Sequence, residues 1–292
     1  MMQEDWSDCA KNDVCMRETV RKAKMSERIT NMLIILHTTS IVSHSMGVFL
    51  ANVDVTSNTT EILFFTKIDY PFDINTQSTY RFVLVTDFFF LLTCSCSAAI
   101  TNALLVILIL HTAGQINILR YWLMELTSFK EKNKNESIAV IMTKIIQKHQ
   151  KIILFTENIE SLYTYIALVL FASNMILICL VAFLVVKRIS ALNAELIIKN
   201  LLFFTITNIE AYIYCYLGEY LRDKSRKIDF AVYSSTWYDM KNKDSSTLLF
   251  VLLRSQKQLT LTIGKMMDLS LQTFTSIMNA SGSYLSVLLA MQ

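Results

Sequence analysis

The sequence has 292 residues, of which 53% are hydrophobic and 17% charged, and its formal net charge is +3. A soluble domain of this length carries more charge and more turn residues than the one proline and five glycines found here, so the composition indicates an integral membrane protein. The small net charge, without a basic patch interleaved with aromatic residues, excludes a nucleic-acid-binding protein.

Hydropathy predicts five membrane-spanning helices in a single domain over residues 1–292. Barrel strands would be shorter and would alternate in polarity, so the fold class expected is an all-α membrane bundle. The predicted spans are residues 29–53, 82–110, 162–186, 196–217 and 266–291.

Basic residues give the predicted orientation of the chain. Residues 1–28, 111–161 and 218–265 contain 22 of the 27 lysines and arginines, so these segments are expected in the cytosol. The N-terminus is then inside and the C-terminus outside, and residues 54–81 and 187–195 form extracellular loops. Asn58 begins a glycosylation sequon in the first of these loops, which makes it a candidate glycosylation site.

Two amphipathic segments lie outside the predicted spans. Residues 137–160 carry isoleucines spaced among lysines and lead directly into the third span, which predicts a helix that protrudes into the cytosol. Residues 246–263 contain Arg254 and Lys257, so this segment is expected at the interface or packed in protein.

Four ionisable residues within the predicted spans are candidates for function. His37 and His44 are two helical turns apart, which is too far for both to bind one metal ion. They are either two polar groups that are hydrogen-bonded inside the bundle or a polar wall of a ligand cavity. Asp87 either orients a helix end or contacts a ligand, and Glu210 is expected to pair within the bundle or reach water. No enzyme motif, cofactor loop or metal-ligand pattern occurs, so neither catalysis nor a cofactor is predicted.

Cysteines and aromatic residues are each open to a structural interpretation. Cys94, Cys96, Cys179 and Cys215 are expected to be buried small hydrophobic side chains. The aromatic clusters at residues 88–90 and 203–216 form either packing and an interfacial belt or an apolar cavity for a small volatile or lipidic ligand.

The last predicted span carries a polar stripe. Its polar residues follow a spacing of four and three, which places them on one helical face. A lipid-facing helix does not need such a stripe, so a helix–helix seam or a water-filled path is expected. The stripe consists of Gln272, Ser276, Asn279, Ser283 and Ser286.

Several motifs in the second half of the chain resemble the C-terminal signature of insect odorant receptors. Their order and spacing match over roughly residues 210–292, and the segments around Glu4 and Met46 are also similar to that family. The motifs are YCYLGE at 214–219, STWYD at 235–239, LRSQK at 253–257, GK at 264–265, SLQTF at 270–274 and SY at 283–284.

The resemblance implies a seven-helix receptor whose N-terminus is cytosolic and whose C-terminus is extracellular. It implies an odorant-gated, non-selective cation channel subunit, in a heterotetramer with a co-receptor subunit, in the plasma membrane of an olfactory sensory neuron. The five predicted spans resemble helices three to seven, so the first two helices are expected to be absent from this sequence. The alternatives are a gustatory-type chemoreceptor of the same fold and a truncated receptor without function.

The resemblance also implies two sets of site residues. A small volatile odorant would bind among the outer halves of the helices, and the last helix would line the pore. The ligand-binding residues predicted by depth and face are His44, Met46, Gly47, Phe89, Phe90, Phe203 and Thr207. The predicted pore residues are Gln272, Ser276, Asn279, Ser283, Val287 and Met291, with the last two at a hydrophobic constriction.

Overall fold

The computed structural model describes residue 5 and residues 13–50, 76–126, 138–189 and 194–290. These residues form a bundle of long helices with one short hairpin, which confirms the predicted helical fold class. A 3-10 turn at Trp237–Asp239 precedes the fifth helix. The helices are α1 (Asp13–Leu50), α2 (Gln77–Met124), α3 (Ile138–Ile189), α4 (Ala194–Tyr233), α5 (Asn242–Ser255) and α6 (Leu271–Ala290).

Two helices are much longer than a bilayer is thick. α2 has 48 residues and α3 has 52, which corresponds to about 72 and 78 Å at 1.5 Å per residue, against about 30 Å of hydrocarbon. The stretches Gln77–Met124 and Ile138–Leu180 are long and apolar enough to cross a membrane. The amphipathic segment before the third span is continuous with α3, as the sequence predicts.

The best-packed part of the core lies at the ends of α2, α3 and α4 that are predicted to be cytosolic. Ile109 and Leu119 of α2, Ile145 and Ile152 of α3 and Leu221 of α4 are all fully buried there. Side chains in the other half of the bundle, including many large apolar ones, are exposed in the single chain. The protruding helical ends therefore form the rigid base of the bundle.

A buried ionic cluster joins Asp5 to this base. Asp5 is 1% exposed, and its Oδ1 accepts a hydrogen bond from Nζ of Lys148 at 2.8 Å. Its Oδ2 lies 3.2 Å from Nε2 of His111, whose ring meets that of Phe155 edge to face. Burial raises the pKa of Asp5, but the hydrogen bonds and charges of His111 and Lys148 outweigh it, so the net pKa is lowered.

The chain reaches the last helix through a β-hairpin that the sequence analysis did not predict. β1 (Thr262–Ile263) pairs with antiparallel β2 (Met267–Asp268), and Gly264 and Lys265 in the turn both have φ near +60°. The last helix consequently begins at Leu271 and not at Met266. The amphipathic segment predicted at 246–263 is helical only as far as Ser255, because the hairpin occupies its end.

The hairpin is docked on α3. The backbone N–H of Gly264 donates to the carbonyl oxygen of Thr164 at 2.9 Å, and that of Lys265 donates to the Thr164 hydroxyl at 3.1 Å. The Thr262 hydroxyl donates to a carboxylate oxygen of Glu160 at 2.7 Å. α3 therefore holds the segment that leads into α6.

The cysteines divide into two groups. Cys179 and Cys215 are buried, as expected, but the expectation is wrong for Cys94 and Cys96, which are exposed. Both exposed cysteines lie in the part of α2 that the base does not cover, and Cys94 faces the cavity described below.

Candidate ligand cavity

A cavity of about 1120 Å³ lies among α1, α2, α3 and α4. Its walls are mostly apolar side chains and small hydroxyls, with one group of polar side chains around Glu210 and another polar contact between Asn174 and Thr207. The walls include Ile41, Leu91, Ala98, Tyr165, Ile166, Val169, Leu170, Ser173, Leu177, Leu202 and Ile206.

Polar side chains from α1, α2 and α4 meet around Glu210. Nε2 of His37 lies 2.6 Å from Oε1 of Glu210, but the atoms are not aligned for a hydrogen bond. Nδ2 of Asn102 also approaches Oε1, at 3.4 Å, and Oδ1 of Asn102 accepts a bond from the Tyr214 hydroxyl at 2.7 Å. Ser95 Oγ lies 3.3 Å from Nδ1 of His37.

This polar cluster can contact the polar group of a ligand. The carboxylate of Glu210 and the side chains of His37 and Asn102 lie together on the cavity wall, and most of the remaining wall is apolar. Sites of this composition hold small molecules by apolar contact and orient them with a few polar groups. The prediction that Glu210 pairs within the bundle agrees with its contact to His37.

One of the predicted ligand-binding residues lines the cavity. Thr207 is buried on its wall, and its carbonyl oxygen accepts a hydrogen bond from Nδ2 of Asn174 at 3.2 Å. Phe89 and Phe90 are 59% and 62% exposed and lie outside the cavity, since this part of α2 turns them toward the surface of the bundle. Asp87 is half-buried and also lies off the cavity wall.

For the other predicted ligand-binding residues only the backbone is described. His44, Met46 and Gly47 lie near the end of α1, and Phe203 lies in the first half of α4. The cavity extends from Leu91 and Leu202, which adjoin the predicted aromatic clusters, to His37 and Glu210, which lie toward the predicted cytosolic ends of their spans. Tyr214 belongs to the aromatic cluster at residues 203–216, for which a ligand cavity was one of two interpretations. Asn102 was missed, although a polar asparagine within an apolar span was an available signal.

The polar stripe of the last helix faces away from the bundle. α6 packs against α3 and α4, and all five stripe residues are exposed on its opposite side. The Ser276 and Ser283 hydroxyls donate to the carbonyl oxygens of Gln272 and Asn279, each at 3.0 Å. Val287 is also exposed, whereas Met291 and Asn58 lie outside the described residues.

Long apolar helices around a large cavity define a multi-helix membrane protein. The chain belongs to the odorant receptor family, because the family model described as 7tm Odorant receptor matches residues 1–282. This family is membrane-embedded, and the match confirms the resemblance carried by the C-terminal motifs.

Curated relatives from insects agree with this membership. Odorant receptor 10 of Aedes albopictus is 32% identical over 169 residues, which are 56% of this chain and 44% of that protein. Odorant receptor 67c of Drosophila melanogaster is 24% identical over 156 residues, which are 53% and 38% of the two chains. The matched region thus spans less than half the length of these two relatives.

Solved structures show the same fold. The olfactory receptor OR5 from Machilis hrabei in complex with eugenol superposes with a TM-score of 0.81 at 16% identity, over 95% of this chain and 69% of that one. A second structure of this OR5 receptor superposes with a TM-score of 0.75 at 18% identity, with the same coverage.

Proposed function

We propose that this chain is a subunit of an odorant-gated, non-selective cation channel. A small volatile molecule occupies the cavity among α1, α2, α3 and α4, and α6 lines the conduction path. The observation that carries the proposal is the cavity itself, since it combines mostly apolar walls with the polar side chains around Glu210 inside an odorant-receptor fold. Its volume of about 1120 Å³ accommodates small organic ligands. The OR5 receptor, which shares the fold, was solved with eugenol.

The exposed stripe of α6 supports its role in conduction. Aligned hydroxyls and amides on the outer face of one chain suit a wet path shared between subunits. The more apolar Val287 and Met291 would form a constriction that closes by dewetting. The subunits would be four, with a co-receptor among them, in the plasma membrane of an olfactory neuron.

α3 provides a physical connection between the cavity and α6. Tyr165 and Ile166 line the cavity, and the adjacent Thr164 holds the hairpin that leads into the last helix. A ligand that contacts the cavity wall more favourably in one position of α3 would bias the position of α6 by that difference in affinity. Gating therefore needs no covalent step.

Filling the cavity tests the proposal. Ala98 lines it, and Ala98→Trp is expected to abolish binding of volatile ligands to the chain in nanodiscs, because the indole ring occupies the ligand volume. Ile100, two residues on and also exposed, does not line the cavity, so Ile100→Trp is the matched control. Binding is measured by isothermal titration calorimetry against empty nanodiscs. Equal binding by the two variants would place the ligand elsewhere.

A further inference from the structure

Acidic and basic side chains are unequally represented on the cavity wall. Within the described part of the chain, Glu210 is the only carboxylate among the residues that line the cavity, and no lysine or arginine lines it. His37 is the only histidine that lines the cavity among the described residues. Its imidazole approaches Oε1 of the Glu210 carboxylate.

One oxygen of Glu210 is directed to the cavity. Oε1 is occupied by His37 and Asn102, at 2.6 and 3.4 Å. Oε2 accepts no hydrogen bond from the described residues, and it is not among their fully buried unpartnered atoms. Because the side chain is 13% exposed and lines the cavity, this exposure presents Oε2 to a ligand.

The surroundings suit an ammonium group better than a neutral donor. A hydroxyl can donate to Oε2 but leaves the negative charge uncompensated in a mostly apolar cavity, whereas a cation forms a charge-assisted bond about twice as strong. Tyr165 and Tyr214 line the same cavity, and aromatic rings of this kind attract cations. The apolar walls contributed by α2 and α3 would contact a hydrocarbon substituent.

We propose that the cavity selects small protonated amines that carry an apolar group, with the ammonium bound to Oε2 of Glu210. This inference rests on the proposed function, since it takes the cavity to be the ligand site. Cyclohexylamine and cyclohexanol are suitable probes, because they share one ring and differ in the charge of the polar group.

Titration calorimetry of the full chain in nanodiscs tests the selection. Wild type is expected to bind cyclohexylamine about tenfold more tightly than cyclohexanol, and Glu210→Gln is expected to remove that difference. Glu219→Gln is the matched control, because Glu219 lies on the same helix, pairs with Arg222 at 2.9 Å and does not line the cavity. It should retain the preference.

A second variant moves the preference in the opposite direction. His37→Ala removes the group that competes for the carboxylate, so cyclohexylamine should bind more tightly relative to cyclohexanol. A merely structural role of the His37–Glu210 contact would instead weaken both ligands in both variants. This comparison remains informative if Glu210→Gln fails to fold.

The outcomes separate the two proposals. Equal affinity of wild type for the two probes, or a preference for cyclohexanol, would overturn the amine inference and leave the odorant site intact. Absence of binding for both probes and for a broad panel of neutral volatiles would overturn the proposed function itself.

Discussion

Replacing Gly218 by alanine is expected to destabilise the folded chain by about 3 kcal/mol or more. Gly218 lies in α4, and a methyl group there would come within 2.3 Å of the carbonyl oxygen of Leu269 and 2.6 Å of its Cβ. A backbone oxygen cannot rotate away as a flexible side chain does. Leu269 is buried directly before α6, so the variant must push the start of that helix off α4 or lose the fold.

Gly282→Ala provides the matched control, since it adds the same methyl group to a helix. Nothing lies within 4 Å of the new Cβ, and alanine is favoured over glycine in a helix by up to about 1 kcal/mol. Denaturant unfolding of both variants in mild detergent measures the difference. Similar stability of the two would show that α4 and Leu269 are not in contact as described.

The second large effect is expected at the buried ionic cluster. Asp5→Asn removes the negative charge that balances Lys148, which is itself buried, and should cost about 3 kcal/mol of unfolding free energy. Asp13→Asn is the control, because Asp13 is exposed in the first turn of α1 and its loss costs less than about 1 kcal/mol. Denaturant unfolding at neutral pH measures both values.

The same cluster predicts how stability changes in acid. The pKa of Asp5 is lowered in the folded chain, so its stabilisation is complete above the ordinary value of 3.8 and is lost as the pH falls through the folded-state value. The wild-type chain should therefore lose stability below about pH 4, and Asp5→Asn should lose less over the same range. A parallel acid loss in the two proteins would show that Asp5 does not form this cluster.

The helices were predictable because each contains a long run of apolar residues that is visible in the local sequence. Hydropathy predicted five spans, each of which overlaps one long helix, and the 3.6-residue periodicity predicted the helical segment that α3 includes from Ile138 onward. The stripe from Gln272 to Ser286 was also predictable, since residues on one face of a helix share one environment. These features depend on neighbours within a few turns of the same segment.

The cavity required information that the sequence does not contain locally. His37 and Glu210 are attractive candidates separately, but their contact depends on how α1 and α4 pack. Depth within the membrane suggested Phe89 and Phe90, whereas the rotation of α2 about its axis turns them outward. Asp5 meets His111 and Lys148 across more than 100 residues of chain, and no short motif encodes such a pairing.

The hairpin was missed for a different reason. Its strands have two residues each, too short for an alternating pattern, and they adjoin an apolar stretch that reads as helix. Its turn, Gly264 and Lys265, belongs to one of the family motifs, and its conformation explains a glycine there. The Cβ atom of any other residue at 264 would also come within 2.9 Å of the Leu168 side chain of α3.

Odorant-evoked current is the measurement that tests the account most directly. The chain is co-expressed with an odorant receptor co-receptor subunit, and membrane current is recorded while a broad panel of volatiles, amines included, is applied. We expect at least one volatile to evoke a non-selective cation current that Ala98→Trp abolishes and Ile100→Trp retains. The absence of current across the panel, or a current unchanged in Ala98→Trp, would contradict an odorant-gated channel subunit with its ligand in this cavity.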